Sequence, residues 1–373
     1  QKVSGVVQSV SGEQLRKDGV QELRNLQAVI PGLSISTQEG AVDIYIRGVG
    51  SGNNTELGDP GAAPHINGIY LPRPRGMGLM FYDLERVEVN KGPQGTLYGR
   101  NAMAGTLNII TAKPKLGQNS GFIQADVANR DGRGAEGAYN LPIGDSMALR
   151  AAFQYVKRDM GYENVSDDPV MSKLKPAGLE ENFGARLSYR WDLGENTTLN
   201  VMADGGHENG TGYPGSNVRD AARIAGLSAD QLDLRKIHYR GPQGDLNNDL
   251  WGLQAKLDHD FGGIGTELSF SRRSVDFFQS NASSAGVDYP GFRPAEYDDY
   301  QSVFWQSRSK ANVGELRVYS TDPKARLTWT AGAFGFKEQQ GSAFFTLTDR
   351  GNFYSGTEFT MPDTTVKSAA LFA

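Results

Sequence analysis

From Phe183 to Leu193 the chain alternates without a break. Phe183, Ala185, Leu187, Tyr189, Trp191 and Leu193 are apolar, and Gly184, Arg186, Ser188, Arg190 and Asp192 lie between them. Successive side chains of a strand point to opposite faces, so this segment has one greasy face and one charged face. Trp251, Leu253, Ala255 and Leu257 repeat the pattern against Gln254, Lys256 and Asp258; so do Leu149, Ala151, Phe153 and Tyr155, and so do Leu316 and Val318 between Glu315, Arg317 and Tyr319. The alternation predicts strands near 121–129, 134–141, 146–157, 181–192, 197–207, 249–260, 266–275, 303–320, 326–337 and 366–373. The second, fourth, sixth and eighth connections are short, at 142–145, 193–196, 261–265 and 321–325. The third, fifth, seventh and ninth are long, at roughly 20–40 residues each.

A soluble sandwich also alternates, but it has no reason to gather its long loops at one end. A transmembrane β-barrel does, with tight turns on one side and long loops on the other. Strands of about 9–12 residues suit a tilted membrane crossing. Trp191, Phe261 and Tyr319 stand near strand ends, where an interfacial aromatic girdle would lie.

The first 115 residues follow a different pattern. Ser11 and Gln14 fit a capping box, and Gly19 ends the short helix it opens. A second helix is predicted near 21–29, with Leu23 and Leu26 on one face and a stop before Pro31. Short strands follow at 42–47, 65–70, 85–89 and 106–111, separated by glycine- and proline-rich stretches at 51–62 and 72–78 that read as exposed loops. On pattern alone, a small soluble α+β domain fits this region as well.

Composition removes several classes. A mean hydropathy of −0.47 and no apolar run near 18 residues leave no helical membrane span. With no cysteine there is no disulfide framework, thiolate nucleophile or cysteine-bound metal. A formal charge of −5 without a basic block argues against a nucleic-acid binder. His65, His207, His238 and His259 are scattered, with no HExxH, and GxSxG, P-loop and strand-bound GxGxxG motifs are missing, so neither an enzyme, a metal site nor a cofactor is expected.

The run Glu85-Arg86-Val87-Glu88-Val89-Asn90-Lys91-Gly92-Pro93-Gln94-Gly95-Thr96-Leu97-Tyr98-Gly99-Arg100-Asn101-Ala102, continued by residues 105–114 (GTLNIITAKP), resembles the plug signature of TonB-dependent outer-membrane receptors. Ile46-Arg47-Gly48 is similar to that family's IRG strand, Asn67-Gly68-Ile69-Tyr70 to its DG(V/I)Y segment, and Gly314-Glu315-Leu316-Arg317-Val318 to its ELRL barrel strand. Lys91 stands where the family usually has Arg, Ala104 replaces a customary Gly, and Asn67 replaces Asp.

The resemblance implies a mainly β protein: a small α+β plug domain, residues 1–115, inside an antiparallel transmembrane β-barrel. Twenty-two strands are implied by the family, of which about ten are present in residues 116–373, read as the N-terminal portion of a truncated barrel. It implies a receptor in the Gram-negative outer membrane that imports an iron-siderophore, vitamin, haem or oligosaccharide. The implied partners are outer-membrane lipid, the ligand, and TonB with its inner-membrane energising complex, although no TonB box is visible. A non-transporting relative, acting as a scaffold or surface-binding subunit beside a surface lipoprotein or other envelope partner, is the alternative.

Candidate residues follow from chemistry. Gly92, Gly95, Gly99 and Gly105 permit positive φ and close backbone approach. Arg47, Lys91 and Arg100 are expected on the plug's outer surface, and Tyr98 belongs to the same signature. Glu315 and Arg317 fall on the polar, lumenal face of their strand, and Glu315 is expected to pair with a plug cation, since buried charges need partners. Ligand contacts are expected from Arg73, Arg75 and Met77 at the plug apex and from Tyr289, Phe292, Tyr297 and Tyr300 in a long loop, by ion pairing and aromatic stacking.

Overall fold

The computed structural model describes residues 6–373 apart from 39–40, 53–57, 96–98, 213–217, 240–242, 283–285, 289–298, 323, 325 and 351–353. Ser11 caps a helix over Gly12–Lys17, its hydroxyl accepting from the Gln14 amide at 3.1 Å. The expected capping box is only half formed, because the Gln14 side chain turns to Asp18 at 2.8 Å instead. The second helix is a 3-10 turn over Leu23–Ala28, with Leu23 and Leu26 buried as its period requires.

The plug is organised by a five-stranded sheet whose order is Val6–Ser11, Leu84–Lys91, Gly105–Thr111, Ala62–Ile66 and Ile69–Tyr70. Two of its landmark dipeptides are hairpin turns. The expected strand 65–70 breaks at Asn67 (φ 53°) and Gly68 (φ 82°), and the strand Ala41–Ile46 ends at Arg47 (φ 54°) and Gly48 (φ 78°). Positive φ at both central residues is what a type I′ turn demands, and Asn tolerates it better than most side chains. Asn67 then uses its side chain, its Oδ1 accepting from the Thr111 amide at 3.0 Å. Leu26, Ile30, Ile46, Ile66, Val87, Leu107 and Ile109 form the plug core.

A ten-stranded antiparallel sheet curves round the plug, running in chain order from Ser120–Val127 to Tyr354–Phe372, and these two strands are its edges. The turns at 144–146, 193–196 and 261–263 are short as expected. The connections over 160–178, 211–244 and 283–298 are long and lie at the other end. The ninth connection departs from expectation. Strands Thr330–Arg350 and Tyr354–Phe372 continue far beyond the predicted ends and pair almost to their tips, so most of what reads as a polar loop is a tall hairpin. Apolar residues there do not keep to alternate positions, with Phe344 and Phe345 side by side among threonine, glutamine and serine, so no one apolar face reveals a strand.

The outward face of the sheet carries Phe153, Leu187, Trp191, Trp251, Leu253, Leu268, Phe270 and Leu316, all exposed. Phe261 is exposed beside the short turns, as a girdle residue should be. Tyr319 is not part of that girdle: it stands in the inward-facing row with Glu315 and Arg317, opposite Gly265. On the long-loop side, Glu163–Asn164, Asp233–His238 and Gly286–Asp288 come from three different connections and form one small sheet. Beneath it Ala177, Ile237 and Tyr239 are buried together.

Candidate functional site

The inward face of the sheet meets the plug through charge. Arg73 follows Pro72 in a loop that reads as exposed, yet its side chain is 10% exposed and lies against the barrel wall. Its Nε donates to Glu338 Oε1 at 2.9 Å and its Nη2 to Oε2 at 3.1 Å, a bidentate pair. Nη1 donates to the Gly58 carbonyl at 2.9 Å, Nη2 also reaches Gln340, and Ser309 donates to Glu338 at 2.6 Å. The Glu338 side chain, 2% exposed, is thus saturated by one plug cation and one barrel hydroxyl.

Arg75 sits two residues on. Its guanidinium lies 4.0 Å from the Phe277 ring centroid and 4.8 Å from that of Trp305, and it donates to Ser307 Oγ at 2.7 Å. All three partners are barrel residues. Between them, Arg73 and Arg75 fasten one plug loop to strands Ile264–Ala282, Asp299–Ser320 and Thr330–Arg350.

A second seam joins residues 80–83 and Glu22 of the plug to the wall. Arg150 donates to Asp83 at 2.8 Å, and Glu136 accepts from the Asp83 amide at 2.9 Å. Arg186 donates to the carbonyls of Tyr82 and Met80 at 3.0 and 2.9 Å while covering the Tyr82 ring at 4.3 Å. Arg273 is held by Asp204 at 2.8 and 2.9 Å and touches Met80 Sδ at 3.1 Å. Glu22 of the plug pairs with Arg158 of the wall. Burial pushes the Tyr82 phenol up to about 12, so it is neutral against this seam.

The sequence-based candidates fall into place as follows. Glu315 does not meet a plug cation; among the described residues its ion pair is with Arg317, two residues along the same lumenal row. The cross-interface pair expected of it is made one strand over by Glu338. Arg100 pairs with Asp59 at 2.7 Å and covers the barrel's Phe336 ring at 4.9 Å, so it does lie at the plug surface. Lys91 instead binds within the plug, to Gln8 at 2.7 Å and the Pro31 carbonyl at 2.6 Å. Arg47 is exposed in its turn.

Gly92 (φ 108°), Gly99 (φ 73°) and Gly105 (φ 137°) use the freedom assigned to them, whereas Gly95 is not in the positive-φ set. Met77 is wholly buried in the plug core, which leaves it no surface for a ligand. Tyr300 is in a strand opposite Asp349. Tyr98, Tyr289, Phe292 and Tyr297 lie outside the described residues. The site residues missed in the sequence are Glu338, Arg150, Arg186 and Asp83. Each charge falls on the polar face of an alternating strand or beside a plug turn, but nothing local says which partner it takes.

A family model described as the TonB-dependent receptor plug domain matches residues 1–106. The chain is 31% identical over 140 residues to the pesticin receptor of Yersinia pestis, covering 37% of this chain and 20% of that protein. It is 31% identical over 318 residues to the catecholate siderophore receptor Fiu of Escherichia coli, covering 79% and 39%. Among solved structures, the ferric yersiniabactin uptake receptor FyuA of Yersinia pestis aligns with a TM-score of 0.75 at 16% identity, over 98% of this chain and 61% of that one. The closed form of Fiu aligns with a TM-score of 0.60 at 15% identity, over 99% and 62%. The structural likenesses show a shared fold, and the chain spans less than half the length of these two curated relatives.

Proposed function

The chain belongs to the TonB-dependent outer-membrane receptors, and from that premise we propose that it takes part in energy-coupled import of a ferric siderophore. The observation that carries the reading is the seated plug: a folded domain held against the inner wall by buried ion pairs, Arg73 with Glu338 and Asp83 with Arg150. Such pairs are stable in place yet are made of separable contacts, which suits a plug that must shift to let a ligand pass. The siderophore class is supported by two of these similar proteins, a catecholate siderophore receptor and a ferric yersiniabactin uptake receptor.

In this reading the aromatic residues Tyr289, Phe292, Tyr297 and Tyr300 stack on an aryl siderophore. Arg73 and Arg75 hold the floor of the vestibule rather than meeting the ligand themselves. The test is uptake of radiolabelled iron by iron-starved cells carrying the full-length protein, supplied as ferric catecholate complexes, with and without a functional TonB system. Uptake that depends on both the protein and TonB is expected. Uptake that persists without TonB would remove the energy coupling, and failure to bind any of the ferric complexes would remove the ligand class.

A further inference from the structure

A carboxylate that neither seam uses lies where the plug meets the wall on the long-loop side. Glu208 stands near the long-loop end of strand Thr197–Gly210 and lines a cavity of about 100 Å3 between plug and wall. Arg158, Glu180 and Asn182 line it too, equally near the long-loop ends of strands Met147–Asp159 and Leu179–Asp192. Glu22, Arg24 and the turn at Gly76 form its plug side. The charges of this cavity do not cancel. Arg24 pairs with Glu22 at 2.7 Å, and Arg158 pairs with Glu22 and, at 3.1 Å, with Glu180. Two guanidiniums thus answer two carboxylates, and Glu208 is left over. Among the described residues its one hydrogen bond comes from Asn248 Nδ2 at 2.7 Å, a neutral donor.

The register sets Glu208 between two amides on its own row, Asn182 opposite it on one strand and Asn248 opposite it on the other. Asn248 is oriented by the Phe278 amide, from which its Oδ1 accepts at 3.2 Å, and so offers Glu208 its nitrogen. Asn182 makes no such bond. Its Oδ1 is enclosed and has no hydrogen-bond partner among the described residues. A charged acceptor and a neutral one therefore stand side by side with no described donor between them. Directly opposed side chains are about 5 Å apart at Cβ, and one nitrogen making two charge-assisted bonds of about 2.8 Å spans that gap. A primary ammonium has three N–H donors and no acceptor, so it answers both oxygens and the charge; water answers the oxygens alone. A metal ion fits poorly, because among the described residues no three His, Asp or Glu side chains gather to hold one.

We propose that Glu208 and Asn182 form a subsite for a primary ammonium group carried by the imported ligand. The cavity has room for about three waters or for a short aminoalkyl end of similar size. The proposal rests on the import reading for the identity of the ligand and not for the subsite itself. A small amine tests the subsite without iron, and iron uptake tests the reading without the amine.

The test is saturation-transfer NMR of the full-length protein in detergent, titrated with propylammonium, tetramethylammonium or N-propylacetamide at constant sodium chloride. Propylammonium is expected to bind, with roughly a tenfold loss in Glu208→Gln and a gain in Asn182→Asp, which sets a second charge beside the first. Tetramethylammonium has the charge without an N–H donor, and N-propylacetamide has a donor without the charge, so each should bind roughly tenfold more weakly. The ferric complex of a catechol ligand with a free amine should then bind the parent more tightly than its N-acetyl form, and the two should be equal in Glu208→Gln. Should Glu208→Gln fail to fold, Asn182→Asp and the three probes still decide the matter. Failure of propylammonium to bind would leave the cavity to water and overturn the subsite, as would equal binding of tetramethylammonium or an affinity that neither variant changes. Equal affinity of the parent for the two ferric complexes would overturn the assignment of the ammonium to the imported ligand. Failure of both ferric complexes to bind, with propylammonium bound, would remove the siderophore reading and uphold the subsite.

Discussion

Removing the carboxylate of Glu338 should loosen the plug from the wall. Glu338→Ala deletes two charged hydrogen bonds to Arg73 and one from Ser309, and takes this carboxylate away from a guanidinium that is 10% exposed. Breaking a buried pair from one side costs about 3–5 kcal/mol. Arg73 keeps the Gly58 carbonyl and the Gln340 side chain, which places the expected cost at the lower end, about 3 kcal/mol. That corresponds to roughly a 150-fold rise in the local opening equilibrium. Hydrogen exchange reads it at the amides of Leu71 and Met77, which flank Arg73 and donate to Pro64 and Pro74 at 2.9 and 3.0 Å. The Arg73→Met/Glu338→Met double variant should recover most of the protection, because removing both charges leaves neither stranded. Exchange within threefold of the parent in Glu338→Ala, or a double variant that loses as much as the two single changes together, would refute the pair as the plug's anchor.

Three further outcomes are expected. Burial holds the His65 imidazole down at about 4, against an ordinary value near 6.5, so below about pH 6.5 the unfolded chain takes up a proton that the native plug refuses. Plug stability is therefore full at neutral pH and falls as pH drops toward 4, by up to about 3 kcal/mol, and denaturation midpoints of the parent and His65→Asn should converge across that window. Gly105→Ala should be far more damaging than Gly99→Ala: both have positive φ, but a methyl at 105 would be driven onto the Asn90 carbonyl oxygen, whereas at 99 it meets nothing within 4 Å among the described residues. A loss above about 2 kcal/mol against one of about 1 kcal/mol in urea melts would bear this out. Arg75→Leu should shift Trp305 emission and cost about 2 kcal/mol by removing the cation from two ring faces, and Arg75→Lys should restore less than half, since a compact ammonium cannot lie flat on both rings and still bond Ser307.

The division of this protein into a mixed domain and a run of alternating strands is legible because period-two patterning survives wherever one face of a sheet is apolar and the other is not. Residues 183–193 illustrate it: each outward position is apolar and Arg186, among the inward ones, reaches the plug. The same rule fails over 338–365, where Phe344 and Phe345 are adjacent and so fall on opposite faces among polar residues, and neither face is evenly apolar. The seam is illegible for another reason. Glu315 and Glu338 both look like lumenal carboxylates in search of a cation, but Arg317 lies two residues from Glu315 on its own face and captures it. Arg73 finds Glu338 across 265 residues of chain, a match set by how the plug is seated and not by any local spacing. The Pro-Arg-Pro-Arg-Gly stretch likewise reads as an open loop, when its charges are in fact turned into the wall.

The small sheet that joins three long connections has a bearing on how such a receptor can diverge. Glu163–Asn164, Asp233–His238 and Gly286–Asp288 share hydrogen bonds, and Ala177, Ile237 and Tyr239 share one buried seat beneath them. Loops that stood apart could each drift toward a new ligand alone. Here a substitution at Ile237 or Tyr239 is inherited by all three at once, so selection acts on the group as a single heritable unit, and new recognition arises most readily by exchange of the group or by change in the segments that stand outside its seat.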